Sequence, residues 1–230
     1  MQKFIFLVFV SGASLLACTQ GYAQPMTEAE MEKWLNSDAP VTANRQINEG
    51  KLVFLPRHKA SQVMHSDNTI IIGKRSLDNG WVRLRQCYHN LDAFPRVQVV
   101  YHYKQMKRLK IVSSSGIGRA WVTPLSGKDS VQLQQVKQGA SLCVSAWVKA
   151  LQREPSGHYR LKTGPYRRKF LDGYFPLRMT LRVDYPSQLL QIAGFAPIAP
   201  GMKISRKQNQ LVFDAVFEGE LNTQVNFARR

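Results

Sequence analysis

Apolar and polar residues alternate along most of this chain. In "GWVRLRQCY" Val82 and Leu84 alternate with Arg83 and Arg85. In "RMTLRVDY" Met179, Leu181, Val183 and Tyr185 fall on one parity, and Arg178, Thr180, Arg182 and Asp184 fall on the other. A period of two places each set on its own face of a strand, so both segments predict antiparallel strands with one wet face. The same reading extends to "KLVFL", "RVQVVYHY", "RLKIV", "GRAWV", "SVQLQQV", "LCVSAWVKAL", "YRLK", "QLLQIA", "GMKIS", "QLVFDAVFEG" and "LNTQVNF". Between "TIII" and "WVRL", the residues Asp78, Asn79 and Gly80 predict a hairpin whose loop is longer than two residues. Many short strands at this spacing predict a mostly β fold, an antiparallel β-sandwich.

Two N-terminal segments break the alternation. Thr27 to Glu30 form a capping box, after which Met31, Trp34 and Leu35 share a helical face until Asn36 to Pro40 end it. Residues 24–46 therefore read as one short helix and a linker, ahead of a β domain over 47–230. Before them, Lys3 precedes an apolar run from Phe4 to Leu16. That run is about 13 residues where a membrane span needs roughly 20, which is the form of a secretory signal.

Two cleavage patterns follow the apolar run. Leu15, Leu16, Ala17 and Cys18 resemble a bacterial lipoprotein box, in which the signal is 1–17 and Cys18 is acylated to anchor the chain in the membrane. Gly21 and Ala23 suit ordinary signal peptidase instead, with a signal over 1–23 and a cut before Gln24. Either cut predicts export to the bacterial cell envelope, as a periplasmic protein or an outer-membrane lipoprotein.

An internal similarity raises the question of duplication. "LDAFPRVQVVYHY" from Leu91 and "LDGYFPLRMTLRVDY" from Leu171 share a Leu-Asp opening and a Phe-Pro step, and "SLCVSAWVKAL" and "QLVFDAVFEGEL" share a Leu with an Ala four residues on. A duplicated β unit would cover about 80–155 and 165–228. The two offsets, 80 and 69 residues, disagree, so chance similarity is the alternative.

Charge changes this picture most. The chain has 32 Lys plus Arg against 15 Asp plus Glu, and loss of Lys3 with the signal leaves +16. In a cytoplasmic protein this balance would point to nucleic acid. Export argues against that partner and substitutes anionic lipid, anionic glycan or an envelope partner protein. The densest clusters are "KQMKRLK", Lys104 to Lys110, and "PYRRK", Pro165 to Lys169. Arg83 and Arg85 on one strand, Arg178 and Arg182 on another, and Arg167, Arg168 and Lys169 between them form the candidate ligand-binding set, because guanidinium forks suit phosphate and carboxylate. The alternative is a solvated sheet face with no dedicated ligand.

Of the three cysteines, either cut removes Cys18 from disulfide pairing. Cys87 and Cys143 remain, and an even pair in an oxidising compartment predicts a disulfide.

No Gly-x-Ser-x-Gly, His-Glu-x-x-His, phosphate-binding glycine loop or Cys-x-x-Cys is present, and no cofactor is predicted. The best catalytic candidates are His89 and Asp92 as a base and its orienter, and His58, His65 and His89 as a metal-ligand set. The simpler reading makes "HNLDAFP" a turn held by its Asn and Asp side chains.

The segments "CYHNLDAFP", "IGRAWV", "SVQLQQV", "LCVSA" and "FLDGYFPLR" resemble those of an uncharacterised family of exported proteobacterial proteins, over roughly Gly80 to Phe227. The resemblance implies a bacterial source and transfers no catalytic residue. The expectation is a non-enzymatic envelope protein, a basic β scaffold touching an anionic component or partner. An envelope hydrolase or metal-dependent enzyme built around His89 is the alternative.

Overall fold

The computed structural model describes residues 48–56, 63–125 and 128–230, all within one compact unit. The signal segment, Cys18, the helix expected within 24–46 and His58 lie outside the described residues.

The strands are β1 Val53–Leu55, β2 His65–Ile71, β3 Trp81–Leu91, β4 Phe94–Val100, β5 Met106–Leu125, β6 Lys128–Lys149, β7 Leu151–Arg153, β8 Tyr159–Tyr166, β9 Lys169–Phe170, β10 Gly173–Tyr174, β11 Leu177–Asp184, β12 Leu190–Ala196, β13 Lys203–Lys207, β14 Gln210–Glu218 and β15 Leu221–Arg229. One helical turn, α1 Ser76–Asn79, separates β2 from β3. The fold is β-rich, as the alternation predicts. A larger sheet runs β1-β14-β11-β2-β3-β6-β4, with β13 also on β14 and β5 also on β6. A smaller sheet runs β12-β15-β8-β7. Pairing is antiparallel throughout except between β11 and β2, which run parallel.

The two sheets share one core. Val82 and Leu84 of β3, Leu142, Val144 and Val148 of β6, Met179, Leu181 and Val183 of β11, and Phe213 and Phe217 of β14 pack with Leu161, Leu190, Val225 and Phe227 of the smaller sheet. All are almost fully buried. Each such side chain stabilises by roughly 1.5–3 kcal/mol through its removal from water.

The β2–β3 hairpin is closed by α1. Gly80 takes φ 74° and donates its N–H to the Ser76 carbonyl. A Cβ there would also meet the Leu151 carbonyl oxygen at 2.5 Å, so glycine is required on two counts.

Two expectations change at β5 and β6. The segments read as separate strands, "RLKIV" with "GRAWV" and "SVQLQQV" with "LCVSAWVKAL", fuse into a hairpin of 20- and 22-residue strands. Ser113 to Gly116 interrupt the apolar pattern without ending the ladder, because register shifts between Lys107 and Lys110, Ile111 and Ser113, and Ser115 and Ile117 absorb the extra residues. At the last shift Gly116 takes φ 71° against Ala140, where a Cβ would approach Ala140 Cβ to 3.1 Å.

The other edge of β6 is shared. β3 covers Ala140–Lys149 and β4 covers Ser130–Val136, both antiparallel to β6. The chain therefore passes through "HNLDAFP" without reversing. This segment is a sideways step at a register shift, with Asn90 at φ 56°, and not a reversing turn. By contrast "LDGYFP" does turn, joining β9 to β10.

Strands from both candidate repeats enter both sheets. β4, from the first matched segment, pairs with β6 alone, whereas β11, from the second, lies inside the sheet between β14 and β2.

Cys87 and Cys143 are directly opposite on β3 and β6, with Cα atoms 4.1 Å apart, and are joined by a disulfide. Closing a 56-residue separation stabilises by roughly 4 kcal/mol in the chain-entropy account.

Candidate functional site

The outward parity of the larger sheet collects the candidate arginines. Cross-strand register sets them in rows. Arg182 stands beside Thr69, then Arg85, Ser145 and Lys110 on successive strands β11, β2, β3, β6 and β5. One row along, Asp184, Ile71, Arg83, Trp147 and Lys107 follow the same order. Arg83, Arg85, Arg178 and Arg182 thus share one face of one sheet.

On β11 the cations are matched. Arg182 is ion-paired with Asp67 of β2, and Arg178 Nη2 donates to Asp214 Oδ2 of β14 at 3.0 Å. Thr180 Oγ1 donates to the same Asp214 oxygen at 2.9 Å. With its hydrogen committed there, Thr180 Oγ1 accepts from His65 Nε2 at 2.9 Å, which fixes His65 as the Nε2–H tautomer. Burial first and the Arg178 charge second hold the His65 imidazole below its ordinary pKa.

On β3, β6 and β5 the cations are unmatched. Arg83, Arg85, Lys107, Lys110 and Lys149 are exposed, and none has an acidic partner among the described residues. Two tryptophans stand among them. Trp147 lies between Arg83 and Lys107 in register and is 37% exposed, and Lys107 Nζ sits 4.0 Å above the Trp81 ring. Strand spacing makes the patch roughly 10 Å across, from β3 to β5. Like charges about 8 Å apart in water repel by about 0.5 kcal/mol per pair, so a polyanion that neutralises them gains that relief as well as its own attraction.

The remaining candidates lie elsewhere. Arg167 pairs with Glu220, and Arg168 pairs with Asp92 while donating to the Pro176 carbonyl at 3.1 Å. Lys169 Nζ lies 5.5 Å from the Tyr174 ring centroid. These three line a cavity together with inward-facing Ser66, Gln86 and Leu177, on the opposite side of the sheet from Arg83 and Arg85.

The histidine set is only partly assembled. His65 and His89 are register partners on β2 and β3, with ring centroids 6.0 Å apart. Asp92 does not orient His89, because the step after Leu91 carries its carboxylate to Arg168. Among the described residues no three His, Cys, Asp or Glu side chains gather as a metal site.

Arg83, Arg85 and, from the Lys104–Lys110 cluster, Lys107 and Lys110 share this face with Trp81, Trp147 and Lys149, which the alternation of charge alone does not single out. Trp81 shares the parity of Arg83 and Arg85, and that was the available signal.

No family model matches the chain, and no curated protein matches it. Among solved structures it is similar to the M1 zinc metallopeptidase of Deinococcus radiodurans. For a form bound to a Tyr-Ser-Ala substrate, identity is 12% and the TM-score 0.35, over 79% of this chain and 43% of that one. A second structure of that peptidase gives 11% identity and a TM-score of 0.33 over the same shares. The chain spans less than half the length of that protein, and likeness of this degree assigns no activity.

Proposed function

We propose that this protein is a non-enzymatic β module of the bacterial envelope whose β3–β6–β5 face rests on an anionic lipid surface. The observation that carries this reading is the unmatched set Arg83, Arg85, Lys107, Lys110 and Lys149 around Trp81 and Trp147 on one sheet face. Each basic residue brought to an anionic bilayer contributes about 1 kcal/mol, and tryptophan settles at headgroup level through its apolar body and polar N–H. Tryptophan also stacks on sugar and base faces, so the choice of a lipid surface rests on the expected export and on a second membrane signal. Acylation at Cys18, expected from the lipoprotein box, would supply a second membrane signal, and stable attachment generally takes two. Among the described residues no helix is long and apolar enough to cross a membrane.

The test is sedimentation of the full chain with vesicles of phosphatidylglycerol and phosphatidylethanolamine, over a salt series. The reading predicts binding that weakens steeply as salt rises and is absent on phosphatidylcholine vesicles. Equal binding to both vesicle types, or preference for a soluble acidic glycan, DNA or an envelope protein, contradicts it.

A further inference from the structure

A cavity of about 250 Å³ opens on the inner side of the larger sheet, between the paired ends of β2 and β3, strand β4, and the segment that leaves β8. Much of its wall is apolar, from Leu91, Val97, Val99 and Leu177. Three polar groups interrupt that wall. Gln86 Oε1 and Tyr101 Oη are buried without a hydrogen-bond partner, on residues only 5% exposed each, and the Tyr166 hydroxyl, on a residue 7% exposed, has the Thr163 and Tyr103 hydroxyls beside it. Buried polar groups in folded proteins are nearly always paired, so two unpaired ones at a single cavity mark a place where something else supplies the partners.

The chemistry of the three is complementary. Gln86 Nε2 donates to Ser66 Oγ at 3.3 Å, and Ser66 Oγ donates in turn to Asn68 Oδ1, which leaves the Gln86 carbonyl oxygen as an open acceptor. Burial pushes the Tyr166 phenol up to about 12, with the neighbouring Thr163 and Tyr103 hydroxyls acting in the opposite sense. Burial likewise raises Tyr88, Tyr101 and Tyr103. These phenols remain protonated donors at neutral pH, and the same desolvation penalises any charge placed among them. Of the cations at the cavity lining, Arg167 and Arg168 are already paired with Glu220 and Asp92, and Lys169 is exposed with its Nζ over the Tyr174 ring. A cavity of roughly 150 Å³ holds benzene, so this one accommodates about ten non-hydrogen atoms.

We propose that this cavity binds a small neutral hydroxylated aromatic compound. Its ring lies on the Leu91, Val97, Val99 and Leu177 side chains, its hydroxyl donates to Gln86 Oε1, and a second oxygen accepts from the Tyr101 and Tyr166 phenols. The site lies on the other side of the sheet from the basic face, and its occupation does not depend on lipid binding.

The probe is 4-hydroxyacetophenone, which carries one phenol and one carbonyl, titrated into the full chain by protein-observed NMR and calorimetry. Saturable binding with Kd on the order of 1 mM or tighter is expected for a ligand of this size. In Tyr101→Phe with Gln86→Met, affinity falls about tenfold or more, while the ligand-free variant melts at a higher temperature because two unpaired buried groups are gone. The anion 4-hydroxybenzoate binds at least about tenfold more weakly than the neutral probe. Absence of saturation up to about 10 mM, unchanged affinity in the double variant, a lower melting temperature of the ligand-free variant, or preference for the anion would each overturn the proposal.

Discussion

The arginines of β11 and those of β3 lie on the same sheet face, two strands apart, yet in opposite electrostatic settings. Arg178 and Arg182 each meet a carboxylate supplied by a neighbouring strand. Arg83 and Arg85 meet Ser145, Trp147 and, one strand further, Lys107 and Lys110. Identical residue types at the same alternation therefore do different work. The β11 pairs are part of the sheet's own polar network, whereas the β3 cations have no acidic partner among the described residues. What separates the two is which segment the topology lays alongside, not the cations themselves.

Breaking that comparison begins at the bond beside it. The Cys87–Cys143 disulfide ties β3 to β6 within the basic half. Replacing both cysteines by alanine lowers stability by roughly 4 kcal/mol in denaturant titration, the largest change expected from any substitution considered. We expect the vesicle affinity of the folded fraction to stay unchanged, since the bridge itself carries no charge.

Arg178→Gln probes the matched half. Asp214 is 9% exposed and loses the Arg178 guanidinium. We expect a loss of about 1–3 kcal/mol in unfolding free energy with no change in vesicle affinity. Arg83→Gln inverts the pattern: stability stays within about 0.5 kcal/mol, and affinity drops by roughly 1 kcal/mol. Trp147→Ala gives a loss of similar size in affinity, about 1 kcal/mol, through the indole alone, which separates the aromatic from the ionic contribution.

The smallest effect is on pH dependence. His65 is held below its ordinary value of 6.5 by burial and then by Arg178, against the opposing pull of Asp67 and Asp214, with His89 adding to the lowering. The unfolded chain therefore binds the His65 proton more readily. Its stabilising contribution is complete above about pH 6.5 and declines as pH falls through the folded value. In His65→Gln, unfolding free energy measured from pH 7.5 to 5 falls less steeply than in the parent, and a slope equal to the parent's would remove His65 from the account.

The strands, the sharing of a face by Arg83 and Arg85, and the disulfide were legible because each follows from local parity or from cysteine count. The charge matching was not. Asp67 reaches Arg182 across 115 residues and Asp214 reaches Arg178 across 36, through register that alternation alone does not specify. Ser113 to Gly116 resembled a break because glycine and serine usually punctuate strands, and only the continuous ladder with β6 overrides that preference. Asp92 was grouped with His89 by sequence proximity, but the step between β3 and β4 turns it toward Arg168, 76 residues away. Gln86 offered a signal that parity reading passed over, as a polar residue on the core parity between Leu84 and Tyr88.

The most direct test of the central claim compares two neutralising pairs in the full chain on phosphatidylglycerol and phosphatidylethanolamine vesicles at low salt. Arg83→Gln with Arg85→Gln removes two unmatched cations, and Lys107→Gln with Lys110→Gln removes two more, against Arg182→Gln as the matched control. The account predicts roughly 30-fold weaker binding for either unmatched pair and binding within about twofold of the parent for the control. Equal losses per charge across all three variants would contradict it, because binding would then follow total charge and not the division of the sheet face.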